Sequence, residues 1–213
     1  MVTWPLFAVV AEHDLVDRLL QDSYWRAAIL NISGIPNKPV VRTRVALSGL
    51  PGQGDGDVDV LVGLRTEPHR ATAVEVKRIK VSSRAIATGQ PNKLQEYEKA
   101  CRQANRLGRA GFWQAYLFII VVVDSRVLNP GSTGYTGASA AIERLIDETI
   151  GLHSLDPRVG LVRHDIVQSM NREPLNAGSG GSSLVRLATQ AAQPSEVTQW
   201  VTQNLRLCNR EHR

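Results

Sequence analysis

The stretch Phe112 to Val123, FWQAYLFIIVVV, constrains the fold more than any other part of this chain. Apart from Gln114 it is apolar at every position, so no alternation separates a wet face from a dry one. It is also well short of the roughly 20 apolar residues that a helix needs to cross a bilayer. A run of this kind fits a central strand covered on both faces, and such a strand needs helices on both sides of its sheet.

The segments upstream supply partners for that strand. Val9, Val16, Leu19, Leu20, Tyr24, Ala27 and Ala28 recur at helical spacing, which predicts an amphipathic helix over Pro5 to Leu30. Gly34, Pro36 and Pro39 then punctuate a loop. Val41, Thr43, Val45 and Leu47 alternate with Arg42, Arg44 and Ala46, the period of a strand. After the turn-rich Gly49 to Gly56, Asp57 to Val62 alternates again. A polar connection, Gly63 to Arg70, leads to a third alternating segment, Ala71 to Val81, and the three strands read as an antiparallel meander. A loop over Ser82 to Gln90 precedes a helix whose buried face is marked by Leu94, Tyr97, Cys101, Ala104 and Leu107. Beyond the apolar run come a Gly-rich loop (Asn129 to Gly137), a helix (Ala138 to Ile150) and a strand (Val159 to Val167). A Gly/Ser-rich stretch (Asn176 to Ser183) and a short helix (Ser195 to Leu207) close the chain. The expected fold is therefore α/β, a mixed central sheet in the order helix, three strands, helix, strand, with helices on both faces.

Two features narrow the function classes. Cys101 and Cys208 lie far apart with no CxxC or Cys/His spacing, which argues against a disulfide framework and against structural zinc. The net charge of +5 and a pI near 9.6 suit a polyanionic partner, because Lys and Arg release counterions from a phosphate backbone. Val2 to Val10 is apolar, but no basic segment precedes it and Glu12, His13 and Asp14 follow at once, so a secretory leader is not expected. A soluble, cytoplasmic protein with no membrane span is the expectation.

Chemistry concentrates in Gly56-Asp57-Val58-Asp59-Val60-Leu61-Val62 and Ala73-Val74-Glu75-Val76-Lys77. Glu75 and Lys77 are two apart on a strand and leave the same face, while Val74 and Val76 point the other way. If the two strands pair about a centre near Glu67, Asp59 falls opposite Glu75, with Cβ atoms about 5 Å apart. Two carboxylates at that distance repel, and one would hold a proton unless a cation lies between them. Magnesium is typically held by one or two carboxylates together with water and phosphate oxygens. Lys77 beside such an ion can orient or deprotonate a water, or stabilise charge on a phosphate under attack. Acidic residues are depleted in strands, so two of them in otherwise apolar strands ask for a reason. The competing reading is a solvent-facing hairpin with a Glu–Lys surface pair.

This hairpin resembles the active site of the PD-(D/E)xK nuclease superfamily, and the order of elements from Pro5 to Val123 is similar to its common core. The resemblance implies a restriction-endonuclease-like domain over residues 1–170, with 171–213 as a C-terminal extension. It implies that Asp59 and Glu75 ligate Mg²⁺ or Mn²⁺, that Lys77 is the catalytic lysine, and that Asp57 is the alternative first acid. Many members carry a Glu on the first helix facing the site, a position that Glu12 matches. Some members carry Gln-x-x-x-Tyr on the helix after the motif. Here Lys93 stands at that spacing before Tyr97, so Gln103, or else Gln95, takes the place of the glutamine. The proline of the superfamily's name is missing. The implied activity is metal-dependent phosphodiester hydrolysis by an endonuclease, on DNA in preference to RNA, with a homodimer or larger assembly as a possible state. The alternative is a non-catalytic nucleic-acid-binding module with the same fold.

Arg42, Arg44, Arg65, Arg70, Arg78, Lys80 and Arg84 cluster in sequence around the hairpin, and Arg42, Arg44, Arg78 and Lys80 are the candidate nucleic-acid contacts. Arg102, Arg106 and Arg109 on the following helix fit a solvated face equally well. The five histidines show no metal spacing, and the Gly-rich loops match neither a P-loop nor a dinucleotide fingerprint.

Overall fold

A computed structural model describes residues 10–21, 23–35, 39–50, 52–81, 94–124, 152–168 and 182–206. Two helices, α1 (Glu12–Gln21) and α2 (Ser23–Ser33), lead into the antiparallel strands β1 (Val40–Ala46), β2 (Asp57–Leu64) and β3 (Glu67–Val81). Helix α3 (Leu94–Ala110) separates β3 from β4 (Gln114–Asp124), which runs parallel to it. A short 3₁₀ turn at Leu152–Ser154 precedes β5 (Gly160–Gln168), parallel to β4, and β6 (Ser182–Arg186) closes the edge antiparallel to β5. Helix α4 (Ser195–Arg206) follows. The result is one open mixed sheet of six strands in the order β1-β2-β3-β4-β5-β6.

The apolar run forms β4 and is buried on both faces, as its lack of alternation requires. Tyr116, Phe118, Ile120 and Val122 join Val60, Val62, Val74 and Val76 against Leu15, Val16 and Leu19 of α1 and Ile29 of α2. Ala115, Leu117, Ile119 and Val121 face the other way, against Tyr97, Ala100, Cys101, Ala104 and Leu107 of α3. Val197, Trp200, Val201 and Leu205 of α4 complete this second layer, with Trp200 edge-on to Phe112 at 5.8 Å between ring centroids. Small residues let α4 approach: a Cβ on Gly63 would come within 2.9 Å of Leu205 Cδ1. Residues 182–206 thus belong to the same sheet and the same core as the segments before them.

Three expectations need correction. The helix expected over Pro5 to Leu30 is two helices, broken between Gln21 and Ser23, where short polar side chains favour helix starts over helix interiors. Residues 1–9 lie outside the described residues. The polar connection Gly63 to Arg70 is mostly strand, because β2 runs to Leu64, β3 begins at Glu67, and only Arg65 and Thr66 turn. Polarity there reflects the exposed tip of a hairpin; Arg70 pairs with Glu67 at 3.0 Å and lies 4.9 Å over the Trp113 ring. Strand β6 begins inside the Gly/Ser-rich stretch and was not expected, since five residues at a sheet edge carry little periodic signal. The loops over 82–90 and 129–137, the helix over 138–150 and residues 176–181 lie outside the described residues.

Leu117 is fully buried in the middle of β4. Leu117→Ala is expected to destabilise the protein by about 2–5 kcal/mol, because the cavity it leaves is walled by a sheet that cannot collapse into it. Urea unfolding checks this, and a loss below about 1 kcal/mol would contradict a close-packed centre.

Candidate active site

The site forms where the ladder between β2 and β3 gives out. Val62, Leu61 and Val60 pair with Thr72, Ala73 and Val74, and the same offset carried one residue further sets Asp59 across from Glu75. The carboxylate of Asp59 accepts a hydrogen bond from the Val76 N–H at 2.7 Å, so a side chain takes over as acceptor where the strands stop pairing. On the other side of β2, Thr43 and Val45 pair with Val60 and Val58, which sets Arg44 across from Asp59.

Both acids are removed from water. Glu75 is only 5 % exposed, and Asp59 is half-buried. Burial pushes the Glu75 carboxyl up to about 9, reinforced by the negative charges of Asp59 and Asp57 and only partly opposed by Lys77. Burial likewise lifts Asp59 to about 6; the Val76 hydrogen bond pulls against this, while Asp57 and Glu12 add to it. The pair therefore carries protons well above the ordinary carboxylate range.

Lys77 is held from two helices. Its Nζ lies 3.0 Å from Glu12 Oε1 on α1 and 3.6 Å from Glu96 Oε2 on α3. Burial alone would lower its pKa, but the two carboxylates outweigh it and hold the ammonium above its usual value. Glu12 also accepts the Arg78 N–H through Oε2 at 2.7 Å, which ties the start of α1 to β3. A cavity of about 230 Å³ opens beside this cluster, lined by Glu12, His13, Val16, Thr43, Arg44, Asp57 and Asp59. Glu75 and Lys77 do not line it. Glu12 and Asp59 line the cavity, and Glu12 also contacts Lys77.

Glu12 and Lys77 meet directly, and Asp59 is held beside them by the N–H of Val76, next in the chain to Lys77. Gln103 stands on α3 two turns beyond Glu96, and it is Glu96 that reaches the lysine. The side chain of Gln95 lies outside the described residues. Among the basic candidates, Arg42 donates to the Asn204 carbonyl at 2.8 Å and so caps the end of α4, as Arg65 does through Leu205 at 3.2 Å. The Arg78 guanidinium donates to the Val10 carbonyl. Lys80 is half-buried on β3, and Arg84 lies outside the described residues. Arg44 lines the cavity. Arg106 donates to the Asp55 carbonyl at 3.1 Å, and the end of its guanidinium lies against Gly56. With φ at 140° as well, position 56 calls for glycine at the entry to β2. Sequence reading missed Glu96, and also Asp17 of α1, whose Oδ2 accepts from Arg44 Nη2 at 2.9 Å. The signal for Glu96 was an acid beside Tyr97, whose side chain faces the core, in the first turn of the helix after the motif.

Among the described residues, no group of three or more His, Cys, Asp or Glu side chains forms a ready-made metal cluster. Asp59 and Glu75 offer hard oxygen donors whose mutual repulsion a divalent cation would relieve, a donor set that suits an ion keeping most of its ligands as water or phosphate. No helix among the described residues is long and apolar enough to cross a membrane. Comparison with protein-family models, with curated proteins and with solved structures returned no match.

The raised carboxyls make stability depend on pH. With Glu75 held near 9 and Asp59 near 6, the folded protein binds more protons than the unfolded chain between the ordinary carboxylate range and those values. The stabilisation is complete at acid pH and is lost as pH rises through about 6 and then about 9. In EDTA, the melting temperature is expected to fall over that window, and Glu75→Gln is expected to flatten the fall. A melting-temperature difference between parent and Glu75→Gln that stays constant with pH would contradict the buried charge conflict.

Proposed function

We propose that this protein is a divalent-cation-dependent nuclease of the PD-(D/E)xK type that hydrolyses phosphodiester bonds in nucleic acid, with DNA as its preferred substrate. The observation that carries the reading is a buried acid, Glu75, set across from the half-buried Asp59 just past the last β2–β3 pair, with a lysine gripped between α1 and α3. A solvent-facing hairpin with a surface ion pair would leave Glu75 exposed, whereas Glu75 is buried. A binding module would have no use for the electrostatic conflict between Asp59 and Glu75, which disfavours the free protein.

Asp59 and Glu75 are the residues that would hold the Mg²⁺ or Mn²⁺, and the ion would neutralise phosphate charge and acidify a water. In-line attack of a water oxygen on phosphorus forms one P–O bond as the opposite P–O bond to the leaving sugar breaks; the water releases a proton to solvent, and the leaving oxygen takes one up from it. Negative charge grows on the phosphoryl oxygens during the attack. Lys77 is suited to donate a hydrogen bond to that charge, since Glu12 and Glu96 keep it in its ammonium form. It therefore acts as a fixed cation and not as the base. Glu12 positions Lys77 and holds β3 through the Arg78 N–H. The Val76 N–H fixes the orientation of the Asp59 carboxylate, which with Glu75 would hold the ion.

Plasmid DNA incubated with the protein and Mg²⁺ or Mn²⁺ is expected to be nicked and linearised, and EDTA is expected to stop the reaction. Glu75→Ala is expected to abolish cleavage, and Lys77→Ala to slow it by about 10²–10³, the loss usual for one preorganised donor. Cleavage that survives either substitution undiminished would overturn the assignment. DNA binding without cleavage in either metal would favour the binding-module reading instead.

A further inference from the structure

We propose that Arg44 grips a substrate phosphate next to the scissile one, and that Asp17 holds its guanidinium until that phosphate arrives. The inference rests on the nuclease reading for the class of substrate; the assignment of Arg44 rests on the geometry of β1.

Arg44 has φ at 51°, and among the described residues it is the one non-glycine at positive φ. An L-residue held there costs roughly 1–2 kcal/mol and persists only where the surroundings over-determine it. The consequence is visible in the packing on either side. Val60 packs with α1, whereas Val45 and Val58, one step beyond the Arg44–Asp59 position, pack on the α3 and α4 side. The strand pair changes face at that position, and the Arg44 side chain is delivered to the cavity.

Glu12, Asp57 and Asp59 make that cavity acidic, so a phosphate approaching it needs a cationic contact on the wall. Arg44 supplies one. Its Nη2 lies 2.9 Å from Asp17 Oδ2, and the arginine side chain is 53 % exposed. An exposed pair of this kind contributes at most about 1 kcal/mol, whereas a guanidinium and a phosphate can form two parallel charge-assisted bonds. Arg42, Arg65 and Arg78 instead donate to backbone carbonyls of α4 and of the segment before α1. Arg44 can exchange Asp17 for substrate without unpairing a backbone group.

The test measures binding apart from cleavage, by fluorescence anisotropy of a short labelled DNA duplex in Ca²⁺ over a salt series. Arg44→Ala is expected to weaken binding about tenfold and to reduce the slope of log affinity against log salt by about 1. Arg44→Gly accepts the positive φ without strain and is expected to show the same loss, which keeps the test open should alanine disturb the strand. Asp17→Asn is expected to tighten binding two- to fivefold in the parent and to change nothing once Arg44 is absent. Parent-like binding by both Arg44 variants would overturn the proposal, as would equal tightening by Asp17→Asn with and without Arg44. A parent that binds no duplex at any salt concentration would overturn both this proposal and the nuclease reading. A parent that binds, with the Arg44 variants binding equally, would remove Arg44 alone.

Discussion

Burying β4 on both faces is the constraint from which the rest of the molecule follows. Its even positions need cover from α1 and α2 and its odd positions from α3 and α4, so the sheet must carry a helix layer on each side. Because β4 runs parallel to β3, the chain has to cross between them, and α3 lies on that crossover. The crossover helix brings Glu96 to Lys77 of β3, while α1 on the opposite layer brings Glu12. Lys77 is reached from both layers because it stands beyond the last β2–β3 pair, where β3 keeps β4 on one side but has no β2 partner on the other.

That end of the sheet is also where ordinary strand chemistry is suspended. The β2–β3 ladder ends at Val60 and Val74, and a carboxylate replaces a carbonyl as acceptor for Val76. On the neighbouring strand, Arg44 leaves the extended conformation. Burying Glu75 close to Asp59 and Asp57 disfavours its ionised form, and a fold selected for stability alone would place an apolar residue there. Strain, a broken ladder and an electrostatic conflict within a few residues of one another are features that proteins tolerate at sites of chemistry.

Much of this was legible in the chain. The antiparallel order of β1 to β3 follows from alternation, and the central placement of β4 from the absence of it. The Asp59–Glu75 juxtaposition follows from pairing about Glu67, and the observed offset of the ladder is the same. Glu12 stood out as an acid on an apolar helix face, and it reaches Lys77. The break between α1 and α2 was less legible, since the apolar spacing continues across it. Edge strand β6 was obscured by its Gly/Ser-rich lead. Arginines grouped by sequence around the hairpin scatter to different tasks in space: Arg42 and Arg65 cap α4, Arg70 covers Trp113, and Arg44 lines the cavity.

By itself, the sequence determined which segments are buried and, away from the change of face at Arg44 and Asp59, which side of the sheet their side chains take, because hydrophobic periodicity is a local property with a period of two or 3.6 residues. It thereby determined that Asp59, Glu75 and Lys77 share a hairpin. Only the tertiary structure decided what closes around them: that Glu96 meets the lysine, that Asp17 holds Arg44, and that residues 182–206 complete the core. Those contacts join segments far apart in the chain, and their geometry depends on how helices settle on a twisted sheet. No pattern within a single segment carries that information.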